Sequence, residues 1–134
     1  MKFPSREWFE AVAVAMLTDP AAIAAIADFG PVVAGLVIED PGFCVLAHIE
    51  PGKPVELSYP EDEDELEEME PDYIGWASYQ LCKTLLQQEK PDPVKAILER
   101  KVRLHGDLER LIKHAGRHRG AGLQALRGVP TEFV

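Results

Sequence analysis

The sequence predicts an α+β domain in which helices cover one face of a five-stranded, mainly antiparallel sheet. Two helical segments open the chain, three strand-like segments separated by Pro- and Gly-containing turns follow, and two further strands are interleaved with helices. A chain of 134 residues with 46% hydrophobic and 28% charged residues is expected to form a single domain spanning 1–134, with one core.

The first two helices are predicted from capping residues and apolar spacing. Ser5 is placed to cap the first helix, and Asp19 followed by Pro20 is an N-cap with proline at the first helical position. Gly30 is the expected end of the second helix. The expected core-facing residues are Trp8, Phe9, Val12 and Met16 in the first helix and Ile23, Ile26 and Ala27 in the second.

Five segments have the β-branched content, alternation and flanking turns that predict strands. They are residues 31–39, 43–50, 55–59, 73–78 and 101–105. The turn Asp40-Pro41-Gly42 separates the first two of them. The connection from the fourth strand to the fifth contains two helices and is long enough for a crossover, so we expect that pair to be parallel.

Three helices and a loose tail are predicted in the second half of the chain. Ser78 and Asp92 are expected to cap the first two helices, and the third follows Gly106-Asp107 and ends at Gly116. The expected inward residues are Tyr79, Cys82, Leu85 and Leu86, then Val94, Ile97 and Leu98, then Leu108, Leu111, Ile112 and Ala115. The Gly-rich tail, 117–134, is expected to dock through Leu123, Leu126 and Val129.

Charge is unevenly distributed along the chain. Residues 60–71 include eight acidic residues in ten consecutive positions, which predicts a mobile, solvated loop, and their spacing does not fit an EF-hand. The net charge of −9 argues against nucleic acid as a partner. Residues 1–70 carry 3 basic and 16 acidic side chains, whereas 71–134 carry 11 and 7. The two halves should attract each other, or the basic half should face an anionic partner.

Cysteine content and hydropathy favour a cytoplasmic location. Cys44 and Cys82 are too few for a disulfide framework and form no CxxC pair, so two reduced thiols are expected. The chain shows no opening of signal-peptide form and no run of 18 apolar residues.

Three segments carry a resemblance to a known family: EWFEAVAVAMLTDPAAIA, PDYIGWAS and DPVKAILERKVRLHGDLERLIKHA. Together they are similar to bacterial single-domain members of the sterol carrier protein type 2 superfamily. The matching positions are Asp72 to Ser78, Asp92-Pro93, Ala96, Lys101 and Gly106-Asp107. Arg100 stands where the family usually has glycine, and the final Glu132-Phe133-Val134 is not a peroxisomal tripeptide.

The resemblance implies an apolar tunnel between sheet and helices that binds a fatty acid, acyl-CoA, sterol or similar lipid for transfer, without catalysis or cofactor. Alternation within the strands and register with the family assign residues to the tunnel. They are Val45, Ala47, Ile49, Tyr73, Gly75, Ala77, Leu85, Ile97, Val102, Leu104, Leu108, Leu111 and Ile112.

A basic cluster is a candidate contact for the ligand's headgroup. Arg110, Lys113 and Arg117 would lie at the tunnel mouth, where they could bind a ligand carboxylate or phosphate, or make transient contact with a membrane surface. Pairing of these cations with the acidic loop is the equally supported alternative.

Two registers are possible for the strand at residues 73–78, and they differ in which side chains point toward the helices. Register with the family turns Tyr73, Gly75 and Ala77 toward the helices and leaves Ile74 and Trp76 exposed, which would suit a homodimer interface. A shift of one residue puts Ile74 and Trp76 in the core instead. The alternative to a lipid carrier is therefore a dimeric interaction or accessory protein with a filled core and no ligand.

Catalytic and metal-binding motifs are not found in the sequence. It contains no nucleophile elbow, HExxH, P-loop or dinucleotide-binding glycine motif, and a small enzyme using Asp72 or His48 is the weakest alternative. His114 and His118 are four residues apart. Gly116, at the expected helix end, and the cationic neighbours disfavour a metal there and favour a basic helix terminus.

Overall fold

The computed structural model describes residues 1–40 and 42–133, so that Pro41 of the predicted turn and Val134 of the predicted tail lie outside the described residues. The strands are β1 Lys2–Phe3, β2 Val32–Glu39, β3 Phe43–Ile49, β4 Glu56–Ser58, β5 Tyr73–Ser78, β6 Arg103–His105 and β7 Glu132–Phe133. The helices are α1 Arg6–Met16, α2 Pro20–Phe29, α3 Glu63–Glu68, α4 Tyr79–Gln87, α5 Pro93–Leu98, α6 Leu108–Arg117 and α7 Leu123–Arg127.

Side-chain caps start the helices where the sequence predicts them. Ser5, Asp19 and Ser78 accept hydrogen bonds from backbone N–H groups in the first turns of α1, α2 and α4. Asp92 accepts in the same way at α5. The four predicted caps are therefore confirmed.

Five strands form the main sheet in the order β4-β3-β2-β5-β6. All neighbouring pairs are antiparallel except β2 and β5, which are parallel. The expected parallel pairing of the fourth and fifth predicted strands (β5 and β6) is wrong. A long connection permits a crossover without requiring one. Here the backbone passes through Arg100, with a left-handed φ of 62°, and then runs antiparallel to β5.

Strand pairing decides the facing of β5. Gly75 lies opposite Leu36 and Leu104, and Ala77 lies opposite Ile38. Ile38 in turn packs in a cluster with residues of α1 and α4, so this side of the sheet is the helical face. The register taken from the family resemblance is confirmed, and the register shifted by one residue is wrong.

The acidic segment forms helix α3 on the opposite face of the sheet, so the predicted mobile loop is wrong. Leu66 is 0% exposed and packs with Val37, Cys44 and Ile74. Gly35 makes the space for it: a Cβ atom there would lie 2.9 Å from Leu66 Cδ1. The carboxylates of the first turn stay outside, where they complement the helix dipole. Helices therefore cover both faces, not one.

Helix α3 also covers the residues predicted to form a dimer interface. Ile74 is buried, and Trp76 Nε1 donates a hydrogen bond of 2.8 Å to Glu63 Oε1. The Arg103 guanidinium lies 4.7 Å from the centre of the Trp76 ring. The expected exposure of Ile74 and Trp76, and with it the basis for a homodimer there, is wrong because Leu66 and Glu63 already occupy that surface.

The two chain ends pack together. β1 and β7 pair as a short parallel sheet, and Trp8 Nε1 donates to Thr131 Oγ1 at 2.9 Å. Val129 is buried beside Phe3 in the aromatic cluster under α1. Part of the tail predicted to be irregular is thus helix α7 and strand β7, and it docks as expected through Leu126 and Val129.

Some predicted inward helix residues face outward. In α2 the buried residues are Ala22 and Ala25, whereas Ile23 is 48% exposed and Ala27 is exposed as well. Leu98 of α5 is 64% exposed, and Leu108, at the start of α6, is also exposed. An apolar stripe gives the period of a helix but not its rotation when small residues can make the closer contact.

Helix α6 passes through Gly116 and ends at Arg117, so the predicted stop is wrong. Glycine within a helix costs only about 1 kcal/mol relative to alanine. Contacts between α6 and α2 offset that cost, because His114 and Arg117 bond to the α2 residues Ala25 and Asp28. This continuation brings His114 and His118 to the same side of the helix.

Candidate functional site

The predicted tunnel residues surround the helical face. The strands contribute buried Val45, Tyr73, Gly75 and Ala77, and half-buried Ala47, Ile49 and Leu104. The helices and the segment before β6 contribute half-buried Leu85, Ile97, Val102, Leu111 and Ile112, and exposed Leu108. The set is apolar throughout apart from the Tyr73 hydroxyl, which donates to the Asp107 carbonyl oxygen at 3.0 Å.

Helix α4 contacts the sheet at β2 and β5, and helix α6 contacts α2. Both helices lie wholly within the described range and both are amphipathic, yet none of their residues is buried. By comparison α1, on the same face, buries Trp8, Val12 and Ala13. The apolar side of α4 packs against the core cluster without being fully enclosed, and the apolar side of α6 is likewise half-buried.

Two concavities lie at the borders of this region. One, of about 490 Å³ between α4 and α5, includes Leu85; the other, of about 350 Å³ at one end of β2 and β3, includes Ile49. Both are lined partly by charged side chains such as Lys95 and Lys53. Neither of these two concavities is a continuous channel through the thirteen predicted residues.

Gly75 leaves room in the middle of the helical face. A Cβ atom on Gly75 would lie 3.7 Å from Leu36 Cδ1 and 3.9 Å from Leu104 Cδ1, which is ordinary van der Waals contact. An alanine therefore fits without displacement. A large side chain at this position would have to occupy the space between the central strands and the helices.

The three predicted headgroup cations have partners inside the protein. Arg110 Nη2 donates to the Phe29 carbonyl oxygen at 2.5 Å, and Lys113 Nζ lies 2.9 Å from Glu109 Oε1. Arg117 donates through Nε and Nη2 to Asp28 Oδ2, both at 3.2 Å. These partners are not in the acidic segment, so the expected pairing with that segment is wrong. An anionic ligand would have to displace them.

Comparisons with known proteins identify the fold. A search of protein-family models and a search of curated proteins find no match. A crystal structure of sterol carrier protein 2 aligns with a TM-score of 0.74, covering 94% of this chain and 98% of that chain at 16% identity. The chain has the sterol carrier protein 2 fold.

Two further structures with this fold extend the likeness. A conserved hypothetical protein from Thermus thermophilus gives a TM-score of 0.73 at 13% identity, covering 96% of this chain and 90% of that one. The ubiquinone synthesis protein UbiJ-SCP2 gives 0.53 at 12% identity, covering 81% and 89%. The predicted family resemblance is confirmed at the level of the fold.

The sequence predicts Tyr79 on the inner side of its helix but does not predict the surroundings of its hydroxyl group. Its ring packs against the aromatic cluster and lies 6.2 Å from the Phe3 ring. Among the residues described, its buried hydroxyl has no hydrogen-bond partner. A tyrosine on the core side of a helix is a signal that could have been used, because a buried tyrosine hydroxyl usually needs a hydrogen-bond partner.

The two candidates for catalysis, Asp72 and His48, lie on either side of Val33 in the sheet. Asp72 Oδ2 accepts from the Val33 N–H at 2.8 Å, and the Asp72 N–H donates to the Val33 carbonyl oxygen. The carboxylate therefore ties the start of β5 to β2. His48 lines the concavity of about 350 Å³ together with Lys53 and Glu56.

Both cysteines are free, and burial disfavours their thiolates. Desolvation raises the pKa of Cys82, on the inner side of α4, to about 11. Burial also raises the pKa of Cys44, and the nearby carboxylates Asp62, Glu63 and Glu65 add to the effect. Reactive thiols have a lowered pKa, so these two serve as small apolar side chains.

Among the described residues, one bent pair of helices has the length and apolar composition of a membrane span. Within residues 1–40 and 42–133 no single helix combines the length and the apolar composition needed to cross a membrane. Helices α1 and α2 reach that composition only when taken together, across a bend of 89°.

Proposed function

We propose that this chain binds an elongated apolar ligand of the fatty-acyl or sterol-like class and transfers it, without catalysis. The ligand would lie between the helical face of the sheet and helices α4 and α6. The observation that carries the proposal is that the amphipathic helix α4, which lies against the apolar face of the sheet, and the amphipathic helix α6 are both only half-buried on their apolar sides. The sterol carrier protein 2 fold supports it.

The energetics favour a ligand in this place. Each methylene taken out of water stabilises the complex by about 0.8 kcal/mol before the costs of binding are subtracted. The half-buried residues on α4 and α6, such as Leu85, Leu111 and Ile112, would gain burial at the same time.

The Tyr79 hydroxyl supports a ligand with one polar group. A buried hydroxyl without a hydrogen-bond partner costs about 1–3 kcal/mol. A ligand carbonyl, carboxylate or hydroxyl group within reach would remove that cost. The ligand class we infer is therefore an apolar chain or ring system that ends in a hydrogen-bond acceptor.

Organic-solvent extraction of the purified chain, followed by mass spectrometry, tests the proposal directly. A lipid present at close to one molecule per chain is the expected result. The delipidated protein should then rebind a fluorescent fatty acid, and unlabelled lipid should displace it. A clean extract together with failure to bind fatty acids, acyl-CoA and sterols would instead support an interaction protein with no ligand.

Substitutions at Gly75 locate the binding region. Gly75→Phe should weaken fatty-acid binding by at least about tenfold, because the ring would fill the space between Leu36, Leu104 and the helices. Gly75→Ala is the matched control and should bind like the wild type, since its Cβ makes only ordinary contacts. Both variants are first checked for a cooperative unfolding transition. Equal ligand binding by the two would exclude this face as the ligand site.

A further inference from the structure

A cluster of two histidines and one aspartate connects α2 to the end of α6. Asp28 belongs to α2, His114 to α6, and His118 is the C-terminal cap of α6. One ligand atom of each lies within 4.8 Å of the others. The imidazole rings of His114 and His118 have centroids 4.7 Å apart, because α6 continues through Gly116 and keeps the i, i+4 spacing on one side.

The orientation of His114 is set by its surroundings. Its Nε2 lies 2.7 Å from the Ala25 carbonyl oxygen, and its ring meets the Phe29 ring edge-on at 4.9 Å. A carbonyl oxygen only accepts, so Nε2 carries the proton and Nδ1 keeps its lone pair. Histidines that bind metal commonly have this arrangement, with one nitrogen donating to a backbone carbonyl and the other free to coordinate.

His118 and Asp28 complete the donor set. His118 Nε2 lies 2.7 Å from Asp28 Oδ2, which also accepts from Arg117. Zinc would replace the proton between His118 Nε2 and Asp28 Oδ2, and that proton would be released to water or carried on Nδ1 of the same ring. Zinc binds nitrogen and oxygen at about 2.0–2.2 Å, so the ion would separate the two atoms by only a fraction of an ångström.

Neighbouring cations limit the affinity. Arg110 is turned toward the Phe29 ring and carbonyl group, and Lys113 is paired with Glu109, so neither bonds to Asp28. Arg117 does bond to Asp28 and would compete with an ion for that oxygen. The Arg117 side chain is 59% exposed and can move into water. The competition should leave a weak site rather than prevent coordination.

We propose that Asp28, His114 and His118 bind a divalent first-row transition ion of the zinc class, which fastens α2 to α6. Two imidazoles and one carboxylate suit such ions better than Mg²⁺ or Ca²⁺, which prefer oxygen ligands only. Three protein ligands leave a fourth position for water. None of these three residues is among the predicted tunnel residues, so the site can be tested separately from the proposed lipid.

Calorimetric titration of the untagged full chain with ZnCl₂ tests the site. Saturation at one ion per chain with micromolar affinity is expected, and MgCl₂ should not compete. His118→Ala, Asp28→Asn and His114→Ala should each weaken binding by at least about tenfold. His105→Ala, at an exposed position on β6, is the matched control and should bind like the wild type.

Arg117→Gln separates coordination from adventitious binding. Removing the competing Arg117 cation should tighten zinc binding severalfold if the ion is bound by Asp28. If zinc binds elsewhere on the surface, the substitution should leave the affinity unchanged. If His114→Ala fails to fold, His118→Ala decides the matter, because its ring makes no backbone contact comparable to that of His114. Absence of saturable one-to-one uptake, or equal binding by His118→Ala and His105→Ala, would overturn the proposal.

Discussion

Tyr79 places a hydroxyl group in an apolar interior, and the cost of that placement can be measured. Tyr79→Phe removes the unpaired hydroxyl while keeping the ring that packs near Phe3. In the ligand-free protein the variant should be more stable by about 1 kcal/mol, because an unsatisfied buried polar group is lost. Urea unfolding of both proteins measures the difference. A destabilised variant would mean that the hydroxyl has a partner in solution, such as a bound water.

The Cys82 thiol makes the stability of the fold depend on pH in the alkaline range. Its pKa is about 11 in the folded chain and 9.0 for an unperturbed thiol, because burial disfavours the thiolate. Below pH 9 both states are protonated and the group has no effect on pH dependence. As the pH rises from 9 toward 11 the unfolded chain ionises first, so the stability contributed by this group is lost.

Thiol reactivity measured against pH checks this assignment. In Cys44→Ala, which leaves Cys82 as the remaining thiol, the rate of reaction with Ellman's reagent should rise to half its maximum near pH 11 in the folded state. The same variant in urea should show the midpoint near 9.0. A folded-state midpoint at or below 9 would contradict the burial of Cys82.

The features that could be predicted best from the sequence are interactions between residues that are close together in the chain. Ser5, Asp19 and Ser78 cap helices with bonds that reach only two or three residues along the chain. The surroundings of Tyr79 and Asp28 could not be predicted in this way. Asp28 bonds to a residue far away in the sequence, and the Tyr79 hydroxyl has no hydrogen-bond partner among the described residues. The sequence does not specify that His118 of α6 meets Asp28 of α2, ninety residues away.

At the scale of elements, α3 shows how one apolar residue can order an acidic segment. Leu66 is the buried contact in a run of carboxylates, and Gly35 on β2 provides the recess that receives it. Local charge density predicts a solvated loop, because the partner of Leu66 is Gly35, which lies 31 residues earlier and has no side chain. For the same reason the predicted exposure of Ile74 was wrong.

A double-mutant cycle on Leu66 and Gly35 tests this packing. Leu66→Ala should destabilise the fold by about 2–5 kcal/mol, as expected for a leucine lost from a closed site. Gly35→Ala alone should also destabilise it, because the new Cβ would lie 2.9 Å from Leu66 Cδ1. In the double variant the clash is gone, so the combined cost should be smaller than the sum.

The control for the cycle is on the other face of the sheet. Gly75→Ala introduces a Cβ with contacts of 3.7 Å and 3.9 Å and should leave stability nearly unchanged. Unfolding free energies from chemical denaturation provide all the values. Strict additivity of the two substitutions would show that α3 is not held against β2 in solution.

Topology marks the limit of sequence reasoning at this scale. The segments that form β2, β3 and β5 were predicted to within a residue or two, because β-branched runs bounded by turns are local signals. The direction of β6 relative to β5 was not predicted correctly, because the connection through α4 and α5 is long enough for a parallel or an antiparallel pair. The helix stop at Gly116 failed because tertiary bonds to α2 outweigh a small helix preference.

At the scale of the whole molecule, the helical face is sealed unevenly. α1 buries Trp8, Val12 and Ala13 and packs with the aromatic cluster and both chain ends. α4 and α6 lie wholly within the described residues and bury none of their own. The apolar character of this face could be predicted from strand alternation, but its incomplete closure depends on how three helices pack together.

Hydrogen exchange of the delipidated chain should reveal this unevenness. Helices with few buried apolar side chains unfold locally at a low free-energy cost. The backbone amides of α4 and α6 should therefore exchange much faster than those of α1. A bound fatty acid stabilises only the closed state and should slow exchange in α4 and α6 by a factor that grows with ligand concentration. The amides of α1 serve as the internal control and should change little. Uniform protection in all three helices before ligand is added would mean that the interior is already filled and would remove the basis for a carrier function.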